Sequence, residues 1–341
     1  MDNLQKRRNV IKSSHEKVEF QKTAETVLPY EADGHKVEIT LKEFVPMHEV
    51  SEDKALIFFT GWSAGDAKTL EYLSGRFAVD ADSKVLQVRT ATEGIRSGAL
   101  RGEARAVVEK IIRERGLKEI TIASHSEGGV KAANIIDILQ KGNPDVEIKG
   151  LILMDPVGLY EQTPRELVSA FAADSLIATP KTILTNVLNK KPATGRGLLI
   201  KQGLQAATDI VFNAMREIRR AKLDFPEKFR GQIAGMAGAD ENFEKVKCPV
   251  VLIQGAADPV SSHEKVLPSE TDPRNLTARS EILKKAFFPN SPRVDMLVPE
   301  KLGHHGLPHF RPEEISRASL YLLKREERRN HKTKDSQDGA L

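Results

Sequence analysis

The sequence predicts an α/β fold in which a mostly parallel central sheet is covered by helices on both faces. Apolar runs of strand length alternate with amphipathic helical stretches through the first half of the chain, a pattern typical of parallel strands joined by helices. The alternation stops near residue 158 and resumes with an apolar run at residues 249–254. We therefore expect a sheet domain interrupted by an inserted helical block.

The composition is that of a soluble globular protein. The chain has 341 residues, of which 40% are hydrophobic and 29% charged, and its net charge is +4. Its basic residues are not interleaved with aromatic ones, so we expect no nucleic-acid partner. No stretch reaches the roughly 20 apolar residues of a membrane span, and the N-terminus lacks a signal-peptide core. These features predict a cytoplasmic protein without a membrane span.

The single cysteine, Cys248, excludes an intramolecular disulfide. It directly precedes an apolar run, so we interpret it as a small buried residue.

The predicted strands differ in how much of each is buried. Residues 37–45 alternate apolar and polar side chains, as in a strand with one solvent-facing side. Residues 54–60 form a continuous apolar run, which indicates a strand covered on both faces. Further strands are predicted at 84–89, 119–123, 150–155, 249–254 and 293–298.

Helical periodicity places helices between these strands. Helices are predicted to begin near residue 66 and to cover 99–115, 130–139, 165–173, 181–190, 204–221 and 312–325. These patterns divide the chain into four predicted segments: a loosely ordered N-terminus (1–25), a core domain (26–157 and 245–325), a helical insertion (158–244) and a disordered tail (326–341).

The central motif is Ser-His-Ser-Glu-Gly-Gly at residues 124–129, between a predicted strand and a predicted helix. A sharp turn there would project the Ser126 hydroxyl out of the sheet and direct the next backbone N–H, on Glu127, toward a developing oxyanion. Gly128 and Gly129 would let the helix lie close to the strand. An ordinary strand–helix turn is the alternative interpretation.

This segment resembles the nucleophile elbow of the α/β-hydrolase superfamily, G-x-S-x-G, with Ser124 at the first glycine position. The resemblance extends over residues 37–325. It implies the α/β-hydrolase fold and an α-helical cap formed by residues 158–244, because such caps commonly follow the strand after the elbow. Helices that merely pack on the sheet are the alternative.

The resemblance also supplies a candidate acid. Gly255-Ala-Ala-Asp258 follows a predicted buried strand and resembles the segment that carries the acid of the triad. Asp258 would hold the histidine tautomer and stabilise the imidazolium. Asp155 is the rival acid, since some lipases of the superfamily place theirs after the preceding strand. A simple turn-forming aspartate before proline is the alternative.

Two histidines compete for the role of base after the last strand. His304 directly follows Gly303, as in the Gly-His segment that it resembles, whereas His305 has the more usual distance to the Pro312 helix start. We favour His304. A metal site formed with His309 is disfavoured, because no carboxylate or cysteine falls at matching spacing.

Trp62 is the candidate for the second oxyanion donor. It follows Gly61 in a segment that resembles the family's H-G-x loop, with Thr60 where His is common. The resemblance also suggests that Trp62 and His125 line the substrate pocket, with ordinary core filling as the alternative for Trp62.

Together, these features predict a serine hydrolase that cleaves a small-molecule carboxylic ester or related acyl bond through an acyl-enzyme on Ser126, with no metal or organic cofactor. A serine at the elbow argues against the haloalkane dehalogenase and epoxide hydrolase branches, which place Asp there. Peptidase, thioesterase, acyltransferase, carbon–carbon hydrolase and cofactor-free haloperoxidase chemistry remain open, as do a catalytically silent binding protein and any oligomeric state.

Overall fold

The protein contains one eight-stranded sheet. The computed structural model describes residues 19–32, 35–61, 68–92, 99–142, 145–160, 162–174, 240–267, 275–300, 302 and 311–325. The strands are β1 Phe20–Ala32, β2 His35–Pro46, β3 Lys54–Phe59, β4 Lys84–Thr92, β5 Glu119–His125, β6 Glu147–Met154, β7 Val250–Ile253 and β8 Val294–Leu297. Their order is β1-β2-β4-β3-β5-β6-β7-β8.

The sheet is mostly parallel. Strands β3 to β8 run parallel to one another, while β2 is antiparallel to both of its neighbours, β1 and β4. This arrangement confirms the predicted fold class. It also places the carboxyl ends of β3, β5, β6 and β7 along one edge, where the predicted catalytic segments begin.

Helices flank the strands as seven described elements. They are α1 Lys68–Ala81, α2 Ala99–Val107, α3 Gly128–Gly142, α4 Pro164–Ala173, α5 His263–Val266, α6 Leu276–Phe287 and α7 Pro312–Leu323. A π-helical turn, Val108–Arg113, continues α2, and a 3₁₀ turn covers Asp240–Lys245. Pro312 begins α7 as predicted, at a position where its missing N–H costs no intrahelical bond.

Among the described residues, two large hydrophobic clusters cover the sheet, one on each face. Adjacent residues of β3 point to opposite faces, so Ile57 packs in the cluster that contains Ile111 and Ile135, whereas Phe58 packs in the cluster that contains Leu70 and Ile315. Helices α2 and α3 therefore cover one face, and α1 and α7 the other. A strand enclosed in this way must be apolar throughout, which explains the continuous run at β3.

The expectation of a loose N-terminus is wrong for residues 20–25. Strand β1 begins at Phe20 and pairs antiparallel with β2 along its whole length, from Phe20 opposite Pro46 to Ala32 opposite His35. As an edge strand it keeps many exposed polar side chains, so it has no apolar pattern, and its order comes from backbone pairing with β2. Residues 1–18 and 326–341 lie outside the described residues.

The inserted block begins with a helix at the predicted position. Thr163 caps α4 reciprocally with Glu166: the Thr163 backbone N–H donates to Glu166 Oε2 at 2.7 Å, and the Glu166 N–H donates to Thr163 Oγ1 at 3.2 Å. Residues 175–239 lie outside the described residues, so the helical cap stays a prediction. Among the described residues, no helix combines the length and apolar character needed to cross a lipid bilayer.

Candidate active site

Ser126 occupies a strained turn between β5 and α3. Its φ is 55°, in the left-handed region that non-glycine residues rarely adopt, and the residue is 4% exposed. Three backbone hydrogen bonds hold the turn: the Ser126 N–H donates to Met154 O at 3.0 Å, and Ser126 O accepts from the N–H groups of Gly129 at 3.0 Å and Val157 at 3.3 Å. A backbone strained in this way persists only where the surrounding structure holds it in that conformation. Strand β6 and helix α3 supply that constraint here.

Two glycines let the elbow pack closely against its neighbours. A Cβ on Gly128 would lie 2.8 Å from Phe59 Cβ and 2.9 Å from Phe59 O, and one on Gly129 would lie 3.1 Å from Pro156 Cβ. Any larger residue at Gly128 would push α3 away from β3. The motif's glycines are therefore explained by packing, whatever the chemistry of Ser126.

Ser124, at the position where the resembled motif has glycine, is fully buried. Within the described part of the chain its hydroxyl meets no hydrogen-bond partner. The extra hydroxyl is accommodated at the end of β5 without a visible compensating interaction.

The loop after β3 lies directly against the nucleophile. A Cβ on Gly61 would stand 2.8 Å from Ser126 Cβ and 3.1 Å from His125 Nδ1. His125 itself is 1% exposed, and its role in a substrate pocket stays a prediction. Trp62, the next residue along this loop, lies outside the described residues, so its oxyanion and pocket roles also stay predictions.

Glu127 combines two features at the start of α3. Its backbone N–H directly precedes the first turn of α3, the end of the helix that favours negative charge. Its side chain is buried and lies 3.6 Å from Lys131 Nζ, which also binds Glu103 Oε2 at 2.8 Å. Thr90 Oγ1 donates to the same Glu103 oxygen at 2.5 Å. A buried ionic cluster of Glu103, Glu127 and Lys131 therefore adjoins the elbow.

The titration of this ionic cluster follows from its burial. Burial raises the pKa of Glu127 and the Glu103 carboxylate adds to the shift, while Lys131 opposes it. Burial lowers the pKa of Lys131, but the two carboxylates outweigh this effect and leave the pKa raised. Sequence reasoning missed the cluster, although a lysine four residues after Glu127 on an otherwise apolar helix face was a usable signal.

Asp258 lies in the tight loop after β7 and is 4% exposed. Its N–H donates to Gly255 O at 3.1 Å, and Asp258 Oδ1 accepts from the Val260 N–H at 2.7 Å. The segment that follows β6 is tied to the same loop, because Tyr160 Oη and Gln162 Nε2 both donate to Val260 O at 3.3 Å. The carboxyl is thus held by backbone on a rigid loop.

The segment that precedes the predicted histidines is joined to the Asp258 loop. Ala257 N–H donates to Leu302 O at 2.9 Å, and Ala256 N–H donates to Pro299 O at 3.0 Å. His304 and His305 lie outside the described residues. The choice of His304 or His305 as the base therefore stays a prediction.

Asp155, the rival acid, is brought next to Asp258 rather than to a separate site. It ends β6 with a φ of 45° and is fully buried. Its Oδ1 accepts from the Gly255 N–H at 2.8 Å, and burial together with the negative charge of the nearby Asp258 raises the pKa of Asp155. Sequence reasoning treated the two acids as alternatives, whereas the structure makes them neighbours.

Among the described residues, no group of three or more His, Cys, Asp and Glu side chains is arranged to hold a metal ion. His304, His305 and His309 lie outside this set. The lone thiol is chemically protected, because burial raises the pKa of Cys248 to about 12.

Comparison with known proteins gives matches in three-dimensional structure only. No protein-family profile matches the chain, and no curated protein matches it in sequence. Solved structures do match, among them an esterase from Thermogutta terrifontis, which is 14% identical over 89% of this chain and 98% of its own, with a TM-score of 0.54.

Two further structures match to a similar degree. A bromoperoxidase from Bacillus anthracis is 14% identical over 88% of this chain and 100% of its own, with a TM-score of 0.53. A serine hydrolase from Cycloclasticus zankles is 12% identical over 88% of this chain and 99% of its own, with a TM-score of 0.52. At these identities the likeness concerns the fold, and with the strand order above it supports one conclusion: the chain has the α/β-hydrolase fold.

Proposed function

We propose that the protein is a serine hydrolase that cleaves a carboxylic ester, or a related acyl bond of a small molecule, through an acyl-enzyme on Ser126. The observation that carries the proposal is the left-handed Ser126 turn, held between β5 and α3 with Gly61 packed against it. A hydroxyl nucleophile needs such a turn, since the strain projects Oγ out of the sheet beside helical N–H groups. Two of the similar structures are described as an esterase and a serine hydrolase, which is compatible with this chemistry.

In this mechanism His304 takes the proton of Ser126 Oγ as the oxygen attacks the acyl carbonyl. The N–H groups of Glu127 and Trp62 stabilise the oxyanion. His304 then protonates the leaving group, and water releases the acyl chain by the reverse sequence. Asp258 orients the imidazole and stabilises its charged form.

The nucleophile is tested by covalent labelling with a fluorophosphonate probe and by hydrolysis of p-nitrophenyl esters. Ser126→Ala should lose both labelling and turnover, the latter by several orders of magnitude, because the attacking atom is removed. Ser280→Ala, in helix α6 away from the site, should label like the wild type. Undiminished labelling of Ser126→Ala would refute the assignment.

The same assay separates the two candidate bases. We expect His304→Ala to cost far more turnover than His305→Ala, since only the base transfers the proton. The reverse order would assign the base to His305. Equal, small losses would argue against a histidine from this segment.

Aminoacyl and acyl-CoA substrates tested beside the esters would distinguish a peptidase or thioesterase from an esterase, because the fold is shared by all of these chemistries. A catalytically silent binding protein would neither label nor turn over any of them.

A further inference from the structure

Asp155 and Asp258 form a buried carboxyl pair that the proposed triad does not require. Strands β6 and β7 are neighbours in the sheet, with Met154 opposite Ile253, so the residues that follow them meet at its edge. The Asp155 N–H donates to Ile253 O at 2.7 Å, and the Gly255 N–H returns a bond to Asp155 Oδ1 at 2.8 Å. This reciprocal pair of bonds fixes the Asp155 carboxyl against the loop that carries Asp258.

The second oxygen of Asp155 has an unusual environment. Asp155 is 0% exposed, and within the described part of the chain its Oδ2 meets no hydrogen-bond donor. The Asp258 carboxyl lies on the loop that Asp155 binds through Gly255, near enough for its charge to raise the pKa of Asp155. Two neighbouring buried carboxylates repel each other when both are ionised, whereas one proton shared between them allows a hydrogen bond.

Among the described residues, two charged neighbours of Asp155 favour its neutral form. Burial raises the pKa of Asp155 well above its usual range, and the negative charge of Asp258 adds to this, as does that of Asp174 at the end of α4. The hydrogen bond from Gly255 N–H acts in the opposite direction. On the side of α4 and the β6 loop, Tyr160 is neutral at ordinary pH, since burial raises its pKa also.

We propose that Asp155 is a protonated positioning residue, which donates a hydrogen bond from Oδ2 to the Asp258 carboxylate and so fixes the orientation of that acid. The Asp155 proton then lies between the two carboxyl groups. The role of Asp258 as the triad acid rests on the proposed function, but the protonation of Asp155 does not.

The first test measures the free energy of unfolding of the wild type and of Asp155→Asn from pH 4 to pH 8. An unfolded aspartate titrates near pH 4. With a raised folded pKa, the wild-type protein binds more protons than its unfolded chain above that pH, so its stability falls as pH rises until the folded pKa is passed. Asparagine has no such proton. The unfolding equilibrium constant of the wild type relative to the variant should therefore rise with pH, by up to about tenfold per unit.

Asp137 provides a matched control with the opposite sign. It is also buried, but the hydrogen bond from Lys141 and the charges of Lys245 and Arg101 outweigh the effect of burial and leave the pKa of Asp137 lowered. Its stabilisation is present above the unfolded pKa near 4 and is lost as pH falls below it, so Asp137→Asn, measured from pH 2 to pH 5, should give the reverse slope. The proposal would be overturned if the difference in stability between the wild type and Asp155→Asn did not change with pH, or changed in the direction expected for Asp137→Asn.

The second test concerns turnover. Asparagine can donate from Nδ2 to Asp258 and still accept from Gly255, so Asp155→Asn should lower kcat by less than about tenfold. Asp155→Ala removes the acceptor of the Gly255 N–H and the proposed donor to Asp258, and it should lower kcat by about a hundredfold. Asp258→Asn should lower it on the order of 10⁴-fold, as expected for a triad acid. A loss for Asp155→Asn as large as that for Asp258→Asn would make Asp155 the acid and overturn the proposal.

The two hypotheses fail separately. If Ser126 does not label, the proposed function falls, while the pH dependence of unfolding still decides whether Asp155 is protonated. If Ser126 labels but the Asp155→Asn stability difference does not rise with pH, only the carboxyl pair is refuted. If Asp155→Ala does not fold, the Asn variant alone carries both measurements.

Discussion

Gly61 and Ser126 approach each other so closely that no side chain fits between them. A Cβ at Gly61 would lie 2.8 Å from Ser126 Cβ, an atom fixed by the backbone of the elbow. Gly61→Ala must therefore move either the loop after β3 or the nucleophile. Because a shift of about 1 Å at a reacting atom costs roughly a hundredfold, we expect kcat/KM to fall by about that factor. Steady-state hydrolysis of p-nitrophenyl acetate measures this change.

Gly142→Ala is the control for this substitution. Its nearest neighbour would be Arg113 Nη2 at 3.8 Å, an ordinary contact at the far end of α3. We expect no loss of kcat/KM there. If Gly61→Ala kept full activity, the loop would not constrain the nucleophile, and an oxyanion role for the next residue would lose its structural support.

At this scale, what the sequence predicts depends on how far apart the partners lie along the chain. The elbow is a local signal, since Ser126, Gly128 and Gly129 are read from one strand–turn–helix segment. The proximity of Asp155 and Asp258 is not a local signal, because it depends on β6 and β7 being neighbours with a long insertion between them. A sequence pattern could name both acids but could not show that they are neighbours.

The element that carries the nucleophile, α3, also carries a buried cation. Lys131 binds Glu103 and Glu127 where the side chains are at most 7% exposed. Lys131→Met leaves two buried carboxylates facing each other, and removing one partner of a buried ionic cluster typically costs about 3–5 kcal/mol. We expect a loss of that size in the free energy of unfolding at pH 7, measured by urea denaturation.

The pH dependence gives the sign of this effect. Without Lys131, the pKa of Glu127 is raised further, so the stability of the variant falls as pH rises from about 5 to 8. Lys141→Met is the control on the same helix: its ammonium is 64% exposed and pairs with Asp137 at 2.8 Å. An exposed cation contributes about 1 kcal/mol or less. Similar losses for both variants would contradict the special role of Lys131.

Helix α6 shows how an element escapes prediction even when its signals are present. Asn275 caps it, with Oδ1 accepting from the Ala278 N–H at 3.0 Å, and Leu283 is buried beneath it. The helix is largely polar outside that face, so its apolar periodicity is too weak to predict it from the sequence. Its cap can be recognised from the local sequence, whereas its packing against β8 depends on where the sheet places that strand.

Across the whole molecule, burial explains which strands the sequence predicts. Strands β3 and β7 are enclosed on both faces, so nearly all of their residues are apolar and the two strands are easily recognised. Strand β1 lies at the edge, is stabilised by pairing with β2, and carries polar side chains that obscure it. Outer elements are thus ordered by backbone partners that their own sequence does not specify.

Phe20 anchors this edge strand and should affect stability without affecting activity. It is 6% exposed, packs edge-on against Tyr72 at 5.9 Å between ring centroids, and lies where any side chain on Gly75 would clash with it. Phe20→Ala should lower the free energy of unfolding by about 3–5 kcal/mol, the usual cost of removing a buried aromatic ring. Strand β1 lies four strand positions from β5, about 19 Å away at ordinary spacing, so kcat/KM of the folded protein at 25 °C should not change.

Val27→Ala on the same strand, where the side chain is 54% exposed, should change neither quantity appreciably. Equilibrium denaturation together with ester hydrolysis measures both. A fall in kcat/KM of Phe20→Ala under conditions where it is fully folded would show that the edge hairpin acts on the catalytic edge through the sheet.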